Sequence, residues 1–498
     1  MEHTRVAIVG GGPAGYVAAR RLGQLGVDTV LVERRALGGV CLNEGCIPTK
    51  ALYVATTPLG RTEAWATAGI ALHPQVDLAR LRAWLDKIVT NLRAGIEKLL
   101  SAVGVEVIPG EAALIGPGQL RIRRANREEM LAAQAIVLAT GSAPIEVPGL
   151  PFDGERVWSS TDALNLPRVP EHLVVVGGGV IGLELATVYC RLGSHVTVVE
   201  MMDGLLPGLN LSRRGEALLR QALRRQGIEL RLGAAAQGLT EDGVVVRSAA
   251  GTEEVPGDAV LVAVGRRPRP EGLGLEHAGI RPERGFVPTD QGFLAAPGIY
   301  AIGDLRGGAL LAHKASHEGL LLAEWLAQPS PMKGDATGPL EPPSSMKGEG
   351  VGHKGRRYNN GSVASGFIPD VGAPDVGIIP QAIFTQPEVA LVGLSPEAAA
   401  AQGIEVRVGR CPLGALGRAW AEGELDGYFQ VVADRGGRLL GAEIVGPHAS
   451  DLIAEAALAI QAGLTLAELA QTVHAHPTFP EGLWEAALAA LDRPLHTA

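Results

Sequence analysis

Four cysteines in 498 residues, Cys41, Cys46, Cys190 and Cys411, are too few and too unevenly spaced for a disulfide framework. That scarcity excludes a small stapled module. Long apolar runs are missing too, since none approaches the ~18 residues a membrane-spanning helix needs, and insertion into a membrane is not expected. Basic charge is in deficit, with 44 Lys plus Arg against 53 Asp plus Glu and a net charge of −9. Such a surface offers no general attraction to nucleic acid or anionic lipid and favours a neutral or basic partner. No basic and apolar leader precedes Val6-Ala7-Ile8-Val9, so the mature chain is expected to start here, in a reducing cytoplasm. The 46% apolar and 19% charged composition is that of a soluble globular protein. At about 150 residues per domain there is room for roughly three domains.

Glycine, by contrast, is abundant: 67 residues, about twice the average usage of roughly 7%. Its placement reveals an internal duplication. Gly10-Gly-Gly-Pro-Ala-Gly15 recurs as Gly177-Gly-Gly-Val-Ile-Gly182 at an offset of 167 residues, and the same offset carries Leu25-Gly26 onto Leu192-Gly193 and Glu33 onto Glu200. Each copy reads as an apolar β-branched strand, a G-x-G-x-x-G turn, a helix, a Leu-Gly stop, a second strand and an acid. In such a unit Gly10 and Gly177 permit the tight turn, Gly12 and Gly179 let a pyrophosphate approach the backbone, and Gly15 and Gly182 allow close helix packing. The helix N-terminus attracts the phosphates. Glu33 and Glu200, ending the second strand of each copy, are placed to accept hydrogen bonds from ribose hydroxyls and would repel a 2′-phosphate. Two dinucleotide sites are therefore expected.

Between the copies stands Gly38-Gly-Val-Cys-Leu-Asn-Glu-Gly-Cys-Ile-Pro-Thr-Lys50. Cys41 and Cys46 stand five residues apart, and the expectation is that one helical segment carries both and that a disulfide closes and opens between them. A thiolate near a helix N-terminus is stabilised, and Lys50 adds a positive charge in the next turn. Two other readings remain: buried small apolar residues, or half of a metal site. Zinc needs about four ligands, and no second Cys/His cluster with zinc-finger spacing appears. Near the C-terminus, His476 is followed five residues later by Glu481. Thiol–disulfide exchange needs a proton acceptor that titrates near neutrality, and a carboxylate behind an imidazole fixes its tautomer. A surface loop is the alternative for that stretch, and His474 is expected to be structural.

The cysteine segment resembles the signature of the flavoprotein disulfide reductases, and further motifs agree in order over about residues 5 to 325 and 376 to 490. Ala139-Thr140-Gly141 resembles the family's hinge out of the FAD domain, Gly265-Arg266-Arg267-Pro268 its return from the NAD domain, and Tyr300-Ala301-Ile302-Gly303-Asp304 its second FAD motif. Leu311-Ala312-His313-Lys314 resembles the helix whose N-terminus faces the flavin. The resemblance implies an α/β fold with two Rossmann-like dinucleotide-binding domains, for FAD and NAD, plus a C-terminal α+β dimerisation domain. It divides the chain into an FAD domain (1–147), an NAD domain (148–267), a return to the FAD domain (268–328) and an interface domain (376–498). By the same resemblance FAD takes Gly10, Gly12, Gly15, Glu33, Lys50, Gly141, Asp304 and Ala312. NAD takes Gly177, Gly179, Gly182, Glu200 and Gly265, while Glu184 pairs with Lys50 beside the flavin. Cys41 becomes the interchange thiol, Cys46 the thiol against the flavin, and His476 with Glu481 the acid–base pair, acting across a homodimer. Cys190 and Cys411 fall outside every motif and read as inert core thiols.

Within the family the motifs stand nearest to members that oxidise protein-bound dihydrolipoamide with NAD+, the expected partner being the lipoyl domain of an acyltransferase or a lipoyl carrier protein. Met201-Met202-Asp203 after Glu200 supplies no basic residue for a 2′-phosphate, which favours NAD over NADP. The C-terminal residues hold no redox pair of the kind found in mercuric and large thioredoxin reductases. Another NAD(P)H-dependent disulfide reductase of this family, and a non-catalytic flavin-containing subunit of a complex, are the rival readings. Residues 329–375, rich in Pro, Gly, Ser and Lys, depart from the family and read as a low-complexity insertion, with a basic patch around Lys354, Arg356 and Arg357.

Overall fold

The structure, a computed structural model, describes residues 2–328 and 377–497; the expected insertion at 329–375 lies outside them. It divides into two units, each assembled from separate stretches of chain.

The described part of the first unit comprises residues 2–48, 79–145 and 266–328. Its centre is a parallel sheet in the order Ile299–Ala301, Glu128–Leu138, Glu2–Val9, Thr29–Glu33, Glu106–Pro109. The run Val6-Ala7-Ile8-Val9 is apolar at every position because both faces of the sheet are covered. Val6 and Ile8 enter the core under the helices, whereas Ala7 and Val9 enter the core on the opposite face. Two helices, Pro13–Gln24 and Ala312–Leu326, pack so tightly that a Cβ on Gly319 would stand 2.4 Å from the Ala14 carbonyl oxygen.

A buried charge cluster locks the second of these helices to the turn before it. Glu318, fully buried, meets Arg306 Nη1 at 2.7 Å and Lys314 Nζ at 2.9 Å, and its other oxygen accepts the Gly303 N–H at 2.6 Å. Lys314 also donates to the Gly307 carbonyl. Every member is partnered, which is the condition for burying such charges at a tolerable cost.

The second unit comprises residues 49–78, 146–265 and 377–498. Its parallel sheet runs Glu229–Leu232, His195–Glu200, His172–Val176, Ala259–Val262, Val157–Trp158, with the helix Val180–Arg191 after its glycine turn. A second sheet is antiparallel, in the order Gln381–Ile383, Val389–Gly393, Leu439–Val445, Tyr428–Asp434, Val406–Pro412. The helices Ala449–Gln461 and Glu481–Ala490 share its apolar core. The expected fold class, two dinucleotide-binding α/β sheets with a C-terminal α+β portion, is the one found. Among the described residues no helix is long and apolar enough to cross a membrane, and none of their side chains group as a metal site.

Glu318→Ala leaves two buried cations without their carboxylate and is expected to destabilise the protein by about 3–5 kcal/mol. Equilibrium urea unfolding measures it; a loss below ~1 kcal/mol would show that the cluster does not hold this turn.

Candidate active site

The two glycine turns are built alike. A Cβ on Gly10 would lie 2.4 Å from the Ala139 carbonyl oxygen, and one on Gly15 only 1.8 Å from that of Gly10. In the second copy the same distances are 2.6 Å, from Gly177 to Ala263, and 2.1 Å, from Gly182 to Gly177. Glu33 Oε2 accepts the Gly11 N–H at 2.6 Å while Oε1 accepts that of Arg35 at 2.7 Å. Glu200 repeats this with Gly178 at 2.6 Å and Met202 at 2.7 Å, partners that again stand 167 residues on. Each acid is thereby held rigidly at the end of its strand, its oxygens keeping lone pairs for further donors.

Gly12 and Gly179 differ from their neighbours, because nothing in the protein requires glycine there. Their backbones are ordinary (φ/ψ of −72°/−175° and −81°/−176°), a Cβ on Gly179 would meet nothing within 4 Å, and one on Gly12 would meet only the Gly39 Cα at 3.8 Å. The space is left for another molecule at the N-terminus of a twelve-residue helix, where N–H groups and dipole favour a pyrophosphate. Both turns therefore fit a dinucleotide. Beside Glu200, Met201 and Met202 are exposed and uncharged, leaving no cation of their own for a 2′-phosphate.

In the first unit the cysteine segment begins on the glycine turn itself. Gly38 N–H donates to the Gly11 carbonyl at 2.8 Å, and a Cβ on Gly39 would stand 2.6 Å from the Gly12 Cα. Cys41 lies in the short helix Gly39–Glu44 and Cys46 is the first residue of the helix Cys46–Thr56. The single helix imagined for the two thiols is therefore corrected: the chain breaks at Gly45, with φ/ψ of −149°/−115°, far from helical values. The break puts Cys46, which is exposed, at a helix N-terminus, where a thiolate is favoured. Asn43 fixes the short helix, donating to the Leu37 and Gly39 carbonyls and accepting from Arg93 Nη2 at 2.6 Å.

Asp304 sits in the turn Gly303–Arg306 at the end of the strand Ile299–Ala301. Its Oδ2 accepts the Ser142 hydroxyl at 2.5 Å; Arg266 in turn donates from Nε to the Ser142 Oγ at 2.8 Å and from Nη2 to its carbonyl at 2.9 Å. Burial pulls the Arg266 guanidinium below its ordinary range, while the Asp304 carboxylate and the Cys46 thiol oppose that pull. Gly141, adjoining Ser142, has φ +71°, and Ala312 opens the helix Ala312–Leu326. Gly10 to Gly15, Glu33, Gly141 and Asp304 thus all lie at or just beyond the C-terminal ends of parallel strands, the edge at which open α/β sheets bind ligands.

In the second unit Lys50 Nζ donates to both oxygens of Glu184, at 2.8 and 2.7 Å, the acid being buried in the second glycine helix. Gly265 follows the strand Ala259–Val262 and has φ +132°. His476 is exposed; its Nδ1 stands 2.9 Å from Glu481 Oε1, while Oε2 accepts the Thr478 N–H at 2.7 Å. Burial raises the Glu481 pKa, but the Thr478 N–H, the His476 hydrogen bond and the nearby His476 and His496 charges outweigh it and hold the carboxyl below its usual range. The pair can therefore offer the His476 Nε2 to a proton while Nδ1 stays anchored. His474 is held separately by Glu455 at 2.9 Å.

Three contributors escaped the sequence. Ser142 and Arg266 stand inside or beside recognised motifs without any sign that they hold Asp304. Phe384, whose N–H donates to Glu184 Oε1 at 3.1 Å, carries no motif at all.

Residues 4–319 match the family model described as pyridine nucleotide-disulphide oxidoreductase, and residues 379–487 match that family's dimerisation domain. The chain is 41% identical to the dihydrolipoyl dehydrogenase of Halobacterium salinarum over 99% of its own length and 98% of that protein's. It is also 41% identical to the dihydrolipoyl dehydrogenase of Thermus scotoductus, covering 100% and 99%. Among solved structures it resembles LpdA from Mycobacterium tuberculosis with a TM-score of 0.81, at 29% identity over 97% and 99% of the two chains.

The four thiols should separate by reactivity. Burial, then the Glu485 and Glu481 carboxylates, push Cys411 up to about 12, and burial raises Cys190 against the pull of Arg191. In reduced protein at pH 8, alkylation followed by peptide mass spectrometry is expected to modify Cys46 first and Cys411 only after unfolding; prompt labelling of Cys411 would contradict this.

Proposed function

The chain belongs to the pyridine nucleotide-disulphide oxidoreductase family, and from that footing we propose that it is an FAD- and NAD-dependent dihydrolipoyl dehydrogenase, oxidising protein-bound dihydrolipoamide with NAD+. The observation that carries this reading is the start of the Cys41–Cys46 segment on the first glycine turn, which brings a thiol pair to a dinucleotide site. FAD would be held by Gly10, Gly12, Gly15, Glu33, Gly141, Asp304 and the Ala312 helix terminus, with the Lys50–Glu184 pair beside it. NAD would lie against Gly177, Gly179, Gly182, Glu200 and Gly265. In domain terms, 1–147 with 268–328 serve FAD, 148–267 serve NAD and 376–498 form the interface.

The residues then divide the work. In the oxidised enzyme Cys41 and Cys46 are joined as a disulfide. His476 takes the proton from one dihydrolipoamide thiol, and the resulting thiolate attacks the Cys41 sulfur; a new S–S bond forms, the Cys41–Cys46 bond breaks, and Cys46 leaves as a thiolate. The second lipoyl thiol displaces Cys41, releasing oxidised lipoamide and leaving both electrons on the cysteine pair. His476, having passed the first proton on to water, takes this second one as well, with Glu481 keeping Nδ1 in place and offsetting the positive charge. FAD, when bound by these residues, would supply the two-electron chemistry that links the Cys41–Cys46 thiols to NAD+.

A homodimer in which His476 serves the thiol pair of the second subunit belongs to the same proposal. It is supported by the dimerisation-domain match and by apolar side chains left exposed in that segment, Leu458 and Val473. The macromolecular substrate would be the lipoyl domain of an acyltransferase or a lipoyl carrier protein, in the cytoplasm.

The test is NAD+ reduction by dihydrolipoamide with the FAD-loaded protein, beside NADP+ and beside oxidised glutathione with NADPH. Rapid NADH formation is expected, with NADP+ at least about 100-fold poorer and Cys46→Ser inactive. Turnover only in the glutathione and NADPH assay would overturn both the substrate and the nucleotide.

A further inference from the structure

The loop Phe384–Pro387, which follows the strand Gln381–Ile383, touches both members of the Lys50–Glu184 pair through one residue. The Phe384 N–H donates to Glu184 Oε1 at 3.1 Å, and its ring lies under the Lys50 ammonium, 4.7 Å from Nζ to the centroid. Two of the three Lys50 donors go to Glu184, and the aromatic face lies against one side of the cation, whose side chain stays 29% exposed.

The next two residues of the loop are tied down as well. Thr385 offers its carbonyl to the Tyr53 hydroxyl at 2.9 Å, and the Tyr53 ring stands edge-on to Phe384 with centroids 5.7 Å apart. Gln386 Oε1 accepts from Arg191 Nη2 at 2.8 Å. Arg191 stacks on Tyr53 at 4.6 Å and donates to the Tyr53 carbonyl at 3.2 Å. Tyr53 lies about one turn beyond Lys50 on the helix that Cys46 opens, and Arg191 about two turns beyond Glu184 on the second glycine helix. Two rungs, Lys50–Glu184 and Tyr53–Arg191, therefore join these helices, and the loop seals both.

We propose that Phe384 is a positioning residue for Lys50, and that the loop 384–387 is how the C-terminal sheet sets the place of that ammonium. This rests on the reading above that puts Lys50 beside the flavin. A lysine on a flexible four-carbon stem, bonded only to one carboxylate, can swing with it; a backbone donor on the acid and a ring beneath the cation remove that freedom. The ammonium then keeps one position relative to Glu184 and the C-terminal sheet.

The test compares Phe384→Leu, which keeps the backbone donor and removes the ring, with Phe384→Tyr and Lys50→Met in the FAD-loaded protein. The readouts are the flavin midpoint potential by dye equilibration, the thermal midpoint, and kcat and KM for dihydrolipoamide. Phe384→Leu is expected to lower the potential in the same direction as Lys50→Met and to cut kcat about tenfold with KM within about twofold, while Phe384→Tyr restores both. An unchanged potential and kcat in Phe384→Leu, with Lys50→Met altered, overturns the role of Phe384 alone. If Lys50→Met itself changes neither, the placement of Lys50 by the flavin fails and the proposal falls with it. Should Phe384→Leu not fold, Tyr53→Phe, which frees the Thr385 carbonyl and removes the phenol's interaction with Arg191, is expected to shift the potential less but with the same sign; no shift overturns the proposal.

Discussion

The Gly10 carbonyl oxygen lies 1.8 Å from the point where a side chain on Gly15 would begin, and the rest of the first unit follows from that approach. Only a residue without a Cβ lets the helix Pro13–Gln24 start so close beneath the strand Glu2–Val9, and only that start turns its N–H groups toward the strand ends. Glu33 then closes the turn through Gly11, and Gly38 bonds back to Gly11, so the thiol segment is launched from the same place. A repeat of the motif with the same close approach at Gly182 builds the second site.

Charge is the second organising constraint. Carboxylates at the working positions are never left to water alone. Glu33 and Glu200 are pinned by backbone N–H groups, Asp304 by the Ser142 hydroxyl, Glu184 by Lys50 and the Phe384 N–H, Glu481 by the Thr478 N–H and His476. A carboxylate fixed in this way has one orientation and a defined charge, which a site that must bind hydroxyls or steady an imidazolium requires.

Much of this was legible in the sequence, because a strand, a glycine turn, a helix and an acid are local and their spacing is set by one supersecondary unit. The fold class, the two turns, the acids at residues 33 and 200 and the unusual thiol segment all follow from such short-range patterns. The break at Gly45 was not foreseen, since a spacing of thiols does not report the backbone between them. Phe384 was invisible for another reason: it lies 200 residues from Glu184, and nothing local distinguishes a phenylalanine that carries a cation from one that fills a core. The cluster of Arg306, Lys314 and Glu318 likewise reads as ordinary helix charge until burial shows otherwise.

The central claim is that Cys41 and Cys46 are in electronic contact with a flavin held on the first glycine turn. Anaerobic titration of the FAD-loaded protein with dithionite, followed by absorbance, tests it directly. The account predicts uptake of two electron pairs per chain, one by the disulfide and one by the flavin, falling to one pair in Cys46→Ser. Uptake of a single pair by the native protein would contradict it.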